Sequence, residues 1–368
     1  MRIVLFYLLA PAILLSAVFF GLSNFNDNKD SEFILGAMLC LSGPCAEHGE
    51  NAKEGIQLAI EEINSAGGLL GKHVKLSLED TDEGLGSSRA VSAFKKLSFN
   101  KDIRYIVGPS WTPAGLAVAP LVASSKNIIM TSPSLGVADF NETSSNIFNL
   151  WPHDEIATRA IAKYAIEKGV RKVAIFSSQQ DWERTQGDVF EKEFKNLGGE
   201  ITIKLEPLES VNDLKSIATR IVKTSPDAIF YSNFTQMGLA AREVAQLGFK
   251  KLQLCILIDD TRLEASNGAL EGAVIVRYQD SSQDFVQKFT KRFGHTPRIG
   301  SDTAYDVVMM YAKAITQAET DDPEIVKSTL LKTHLDGASG KIQFDELGGV
   351  SKAPLFYQIK DGAQIPVS

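Results

Sequence analysis

The sequence is poor in the residues that build metal, redox and hydrolytic centres. Three cysteines and five histidines are spread through 368 residues, and they do not recur at zinc-ligand spacing. The histidines stand at 48, 73, 153, 295 and 334, and no His-Glu-x-x-His occurs, which removes a zinc-hydrolase signature. A Gly-x-Ser-x-Gly nucleophile turn is missing too, because Gly108-Pro109-Ser110-Trp111-Thr112 lacks the final glycine. Gly84-Leu85-Gly86 runs into Ser87-Ser88-Arg89, so no dinucleotide fingerprint forms, and no phosphate-binding loop is present. A basic excess is also lacking: 38 Lys and Arg face 45 Asp and Glu, a net charge of −7. That argues against a nucleic-acid partner. No low-complexity tract or short repeat interrupts the chain.

What is present is an ordinary globular composition, 44% hydrophobic and 23% charged, on a chain long enough for two domains. Residues 1–22 form one apolar run behind a single Arg2. A secretory signal has this order, with cleavage near Ser23. The run is also nearly long enough to span a bilayer. Residues 1–26 are therefore a signal peptide or, through residues 3–22, an amino-terminal anchor. No cysteine follows for lipid attachment, and no second spanning run occurs after Asp27. Either way the folded part is expected outside the cytoplasmic membrane. An exported chain can use a disulfide. Cys40 and Cys45 are close enough to pair, or all three thiols stay reduced, with Cys255 buried in the apolar run Leu252–Ile258.

The chain is organised around residues 106–136, where two apolar strands, Ile103–Val107 and Asn127–Thr131, each empty into small hydroxyl residues. Ser110 and Thr112 lie in the first loop, and Ser132 and Ser134 in the second. Parallel strands joined by a helix would put both loops at one carboxyl edge, where open α/β sheets collect ligands. Elsewhere strands and helices alternate at βαβ spacing. Strands are expected at Phe33–Leu39, Val74–Glu79, Lys172–Phe176, Ile201–Leu205, Ala228–Tyr231 and Leu252–Ile258. A helix at about Asn51–Ser65 places Ala52, Ile56, Ala59, Ile60 and Ile63 on one face. Trp151-Pro152 breaks the pattern. The texture changes again near Tyr278, after which helices are expected at Ser282–Phe293, Ser301–Ala318 and about Pro323–Lys332. The end, residues 340–362, reads as two strands joined by a glycine-containing turn.

The motifs, in their order, resemble those of the exported leucine/isoleucine/valine-binding proteins, the type I substrate-binding proteins of ABC importers. The matching residues are Leu41-Ser42-Gly43-Pro44, Gly49, Glu54-Gly55, Ile63-Asn64 before Gly67-Gly68, Asp80 and Asp82. Ile106-Val107-Gly108-Pro109, Ser132-Pro133-Ser134, Glu271-Gly272, Tyr305-Asp306, Gly340-Lys341-Ile342 and Phe344-Asp345 continue the series. The resemblance covers about residues 33–365. It implies an α/β fold of two Rossmann-like lobes with parallel sheets and three hinge crossovers. Lobe I would hold residues 32–151 and 278–336, and lobe II residues 152–277 and 337–368.

The resemblance also implies a site between the lobes. Thr112 takes the place of the family's carboxylate-binding hydroxyl, with Ser110 and Trp111 beside it. Gly136 would offer its N–H to the carboxylate, and Ser134 its carbonyl to an ammonium group. Asp259 and Asp260 stand where an acidic partner for that ammonium is expected. Trp182, Phe234 and His48 take positions the family fills with tyrosine, and the usual Thr or Ser is replaced by Gly136. The pocket is therefore reshaped. The implied protein is not an enzyme and uses no cofactor or metal. It would bind a small apolar amino acid, or an amino-acid-like carboxylate, by hinge closure and dock on an ABC permease in the inner membrane. The rival expectations are an anchored ligand sensor of the same fold and a urea- or amide-type binder. An exported enzyme would need a nucleophile–base pair, for which Ser110 with His48 is the candidate.

Overall fold

The computed structural model describes residues 32–82, 87–208 and 210–367. The signal or anchor expected in residues 1–26, the polar linker after it and Gly84-Leu85-Gly86 lie outside the described residues. No described helix is long and apolar enough to cross a membrane.

The first strand, β1 (Glu32–Leu39), shows why the sheet is sandwiched. Phe33, Leu35, Ala37 and Leu39 enter one core and Met38 the opposite one, the period of two of a strand buried on both faces. Cys40 and Cys45 are joined by a disulfide across the turn that follows, with Cα atoms 5.8 Å apart, inside the usual range. Helix α1 (Ala46–Ser65) therefore starts five residues before its apolar periodicity becomes readable. Next come β2 (His73–Asp80), α2 (Ser88–Phe99), β3 (Tyr105–Val107) and α3 (Thr112–Ser124). This half ends with β4 (Ile129–Ser132), the short α4 (Ala138–Asn141) and β5 (Ile147–Asn149). The five strands lie in the order β2-β1-β3-β4-β5, and every pairing is parallel.

The chain then crosses at Trp151-Pro152 into a second lobe. It runs through α5 (Asp154–Glu167), β6 (Lys172–Phe176), α6 (Asp181–Asn196), β7 (Glu200–Leu205) and α7 (Leu214–Lys223). It continues through β8 (Ala228–Tyr231), α8 (Met237–Gln246), β9 (Leu252–Cys255), α9 (Asp260–Ala265) and β10 (Val274–Arg277). A return crossing leads to α10 (Gln283–Phe293), α11 (Ser301–Ala318) and α12 (Pro323–Leu330), then to the small ribbon of β11 (Leu335–Gly337) and β12 (Gly340–Ile342). The last crossing delivers β13 (Leu355–Lys360) and β14 (Ala363–Pro366) to the second sheet. Its order is β14-β13-β10-β9-β8-β6-β7, parallel from β7 to β10 and antiparallel at the β13 and β14 edge.

Two details differ from the sequence reading. The closing hairpin joins β13 to β14 through Asp361-Gly362, both at positive φ, the Asp-Gly turn that matches strand twist. Gly340–Ile342 pairs back with Leu335–Gly337 instead. Ala338, Ile342, Phe344 and Val350 pack in the first lobe's core with α11, so the third crossing falls after residue 350, later than the 336/337 boundary the resemblance implied. Asp306 of α11 secures this segment by accepting the N–H groups of Ala338 and Ser339, each at 2.7 Å.

Helices α1 and α11 cover one face of the first sheet and touch each other closely. A Cβ at Gly55 would stand 2.0 Å from the Ser301 carbonyl oxygen, so the crossing requires glycine. Gly55→Ala is expected to destabilise the protein by about 1–3 kcal/mol, the cost of overpacking. Denaturant unfolding measures it, and an unchanged midpoint would contradict this helix contact.

Candidate ligand-binding site

Parallel order puts the loops after β1, β3, β4 and β5 at one edge, around the switch between β1 and β3 where open sheets form a crevice. The second sheet presents the loops after β6, β8 and β9 in the same way. The two edges face each other. Between them lies a chamber of about 40 Å³, and a larger cleft of about 220 Å³ opens beside it toward the crossings. His48, Trp151 and Leu257 line both.

The first lobe supplies the polar floor of the chamber. Trp111 caps α3 and Thr112 is its first residue, so the helix's unpaired N–H groups start at the chamber wall. Thr112 is buried and lines the chamber, and its hydroxyl makes no hydrogen bond among the described residues. Two neighbouring hydroxyls are committed to the loops. Ser110 Oγ accepts the Cys40 N–H at 3.1 Å, and Ser134 Oγ donates to the Ser110 carbonyl at 2.8 Å. Among the described residues Ser110 makes no hydrogen bond to His48, the pairing an enzyme would need. His48, in the first turn of α1, packs edge-on against Trp111 and Phe234.

The second lobe supplies aromatic walls. Trp182 is the second residue of α6, and Phe234 sits in the loop after β8, where Glu183 of α6 accepts its N–H at 2.7 Å. The guanidinium of Arg262 lies 4.6 Å from the centre of the Phe234 ring. Trp111, Trp182 and Phe234 meet edge to face, an arrangement aromatic pairs favour.

Asp259 and Asp260, the expected ammonium partners, do not line this chamber; both border the larger cleft. Asp259 caps α9 by accepting the Arg262 N–H at 2.8 Å and takes the Arg262 guanidinium at 2.7 Å. Burial opposes its ionisation, yet His48 and Arg262 outweigh that and hold the carboxyl below the usual range. Asp260 is exposed. The strand ends too early to carry either residue inward: β9 stops at Cys255, and residues 256–258 lead away from the sheet into the cap.

The acidic group that does line the chamber is Asp154, the first residue of α5. Its two carboxylate oxygens accept the indole N–H groups of Trp151 at 2.9 Å and Trp182 at 2.8 Å. Its own N–H donates to the Gly136 carbonyl at 2.9 Å. Gly136 makes the approach possible, because a Cβ there would stand 1.7 Å from Asp154 Oδ2. Gly136 itself does not line the chamber. Burial pushes the Asp154 carboxyl up to about 7, against the opposing pull of the two indole donors. Sequence reasoning missed Asp154, Trp151, Gln180 and Leu257. An aspartate opening a helix is an ordinary dipole partner, and nothing in the linear pattern marks it as part of a pocket. The only available signal was the missing side chain at Gly136.

With this geometry in view, comparison with known proteins is informative. The sequence profile of the periplasmic binding protein family matches residues 34–364. The Leu/Ile/Val-binding protein BraC3 of Rhizobium johnstonii is 28% identical over 221 residues, 59% of either chain. Leu/Ile/Val-binding protein homolog 3 of Brucella melitensis is 24% identical over 92% of this chain and 94% of its own. Among solved structures, the leucine-binding protein LivK of Thermotoga maritima superposes with a TM-score of 0.84 at 24% identity, covering 91% of this chain and 97% of that one.

The buried carboxyl makes stability depend on pH. The unfolded chain releases this proton near 3.8 and the folded chain holds it to about 7. The group's contribution is therefore greatest at low pH, falls between those values and is flat above them. The fall is at most about 4 kcal/mol. Tyr278, whose ionisation is opposed first by burial and then by the Asp154 charge, and His48 across the chamber are the titratable neighbours. Urea unfolding of the ligand-free protein between pH 5 and 8 should show this fall, and Asp154→Asn should flatten it. Equal slopes would mean that Asp154 ionises normally.

Proposed function

The chain belongs to the periplasmic binding protein family, and on that premise we propose that it captures a small solute outside the cytoplasmic membrane and delivers it to an ABC permease. Membership puts it among binding proteins and not among enzymes. The observation that carries the reading is the chamber itself, set between two sheet edges and lined from both lobes. Binding there requires the lobes to part and close, and the few residues at each crossing are the natural hinges. Ligand favours the closed form only through contacts absent from the open one. Contacts that span the lobes, such as Thr261 Oγ1 donating to Glu47 Oε2 at 2.6 Å, exist only after closure.

The ligand class we favour is a small amino acid or amino-acid-like carboxylate with an apolar side chain. The free Thr112 hydroxyl and the start of α3 suit a carboxylate, as helix amino termini do. The Ser134 carbonyl suits an ammonium group, and Trp111, Phe234 and Leu257 suit the side chain. A buried zwitterion needs both charges paired. A urea- or amide-type solute is the second reading, favoured by the acceptor oxygens of Asp154 at the chamber wall.

A thermal-shift screen of amino acids, amides and short-chain acids tests this. A true ligand at a hundredfold its Kd should stabilise by about 2.7 kcal/mol. Thr112→Ala should weaken an amino-acid ligand by more than about 1 kcal/mol in calorimetry. Unchanged affinity in that variant would refute the carboxylate site, and a response from amides alone would select the second reading.

A further inference from the structure

The chamber holds one acidic side chain that the protein leaves without a cationic partner. No Lys or Arg lines it, and Asp154 enters no ion pair among the described residues. Arg262, the nearest guanidinium on the Phe234 side, is bound to Asp259 at 2.7 Å. The two indole N–H groups orient the Asp154 carboxylate, but each oxygen keeps a lone pair after accepting one of them. Around it stand Trp111, Trp151, Trp182 and Phe234. Trp151 and Trp182 turn their N–H edges to the carboxylate and Phe234 already carries the Arg262 guanidinium over its ring, while an aromatic wall of this kind can stabilise an ammonium ion that settles over a ring face.

We propose that this chamber is a cation box: the ligand carries a small organic ammonium group whose nitrogen sits against Asp154, walled by Trp111, Trp151, Trp182 and Phe234. The proposal rests on the solute-binding reading and specifies which charge the site selects and where. Asp154, and not Asp259 or Asp260, is the counter-ion. The position where the resemblance expects a hydroxyl side chain is occupied instead by this carboxylate, which enters because residue 136 has no Cβ. A ligand carboxylate beside it would set two like charges together in a largely apolar chamber, at a high cost in desolvation and repulsion. An amino acid is then accepted in one orientation only, ammonium toward Asp154 and carboxylate toward Thr112 and the start of α3. A carboxylate lacking the ammonium is rejected, while an amine lacking the carboxylate is retained. The chamber volume of about 40 Å³ compares with the roughly 10–15 Å³ one water needs, so the ligand has only a few heavy atoms in its buried part.

The test is calorimetry on the whole exported chain with four probes of similar size: L-alanine, ethylammonium, tetramethylammonium and propionate. Ethylammonium and at least one of tetramethylammonium and zwitterionic L-alanine should bind, and propionate should not. In Asp154→Asn, affinity for every binding cation should fall at least tenfold. Gly136→Ala, which drives a methyl group into the carboxylate's place, should do the same without removing a charge. Propionate binding as well as ethylammonium in the unaltered protein, or no cation binding at all, overturns the cation box and needs no variant to do so. If some other solute from the wider screen still binds, the solute-binding reading stands while this proposal falls. If nothing binds in either screen, both fall.

Discussion

Parallel strands cannot be joined by a tight turn. Each must be followed by a crossing element that returns the chain to the start of the next strand. The consequence governs this whole molecule: every strand of a parallel sheet releases its loop at the same edge. In the first lobe that edge gathers His48, the Ser110–Thr112 loop, Ser134 and the Trp151–Asp154 crossing. In the second it gathers Gln180 and Trp182, Phe234 and Leu257. Two such edges turned toward each other make a chamber from residues as far apart as His48 and Leu257, of which only Ser110, Trp111 and Thr112 are consecutive in the chain.

Covering both faces of each sheet adds a second constraint. β1 sends side chains into two cores, and the helices over the first sheet approach within the space a glycine leaves at Gly55. The lobes are therefore stiff bodies, and movement is left to the crossings. Those crossings are short and are tied by half-buried polar anchors. Asp302 accepts the Ser281 hydroxyl at 2.8 Å, and Lys352 donates to the Ser339 carbonyl at 2.6 Å. Such bonds fix where the chain bends without filling the chamber.

Electrostatics then separates the two acidic sites at the lobe boundary. Asp259 is neutralised by Arg262 and spends its acceptor capacity on a helix cap. Asp154 is deeper, receives only neutral indole donors, and its carboxyl is pushed up by burial to about 7. A buried carboxylate without a cation is costly for the folded protein, and here it stands at the chamber wall.

The sequence by itself determined the architecture. Period-two strands such as Phe33–Leu39, a 3.6-period helix over Asn51–Ser65 and ordered motifs from Leu41 to Asp345 led to two α/β lobes, because local periodicity is set by which faces must be buried. It also located the loops bearing Ser110, Thr112 and Ser134, since hydroxyl residues after an apolar strand are visible in one dimension. It did not reveal the short strands Ile147–Asn149 and Val274–Arg277. Nor did it locate the end of the third crossing, where Phe344 and Val350 are held by first-lobe packing that no local pattern encodes. The choice among acidic residues belonged to the tertiary structure alone. Asp154, Asp259 and Asp260 are alike as letters, each at or beside the start of a helix. What separates them is the neighbours that folding brings: an arginine for one, solvent for another, and for the third two indoles and the gap left by Gly136.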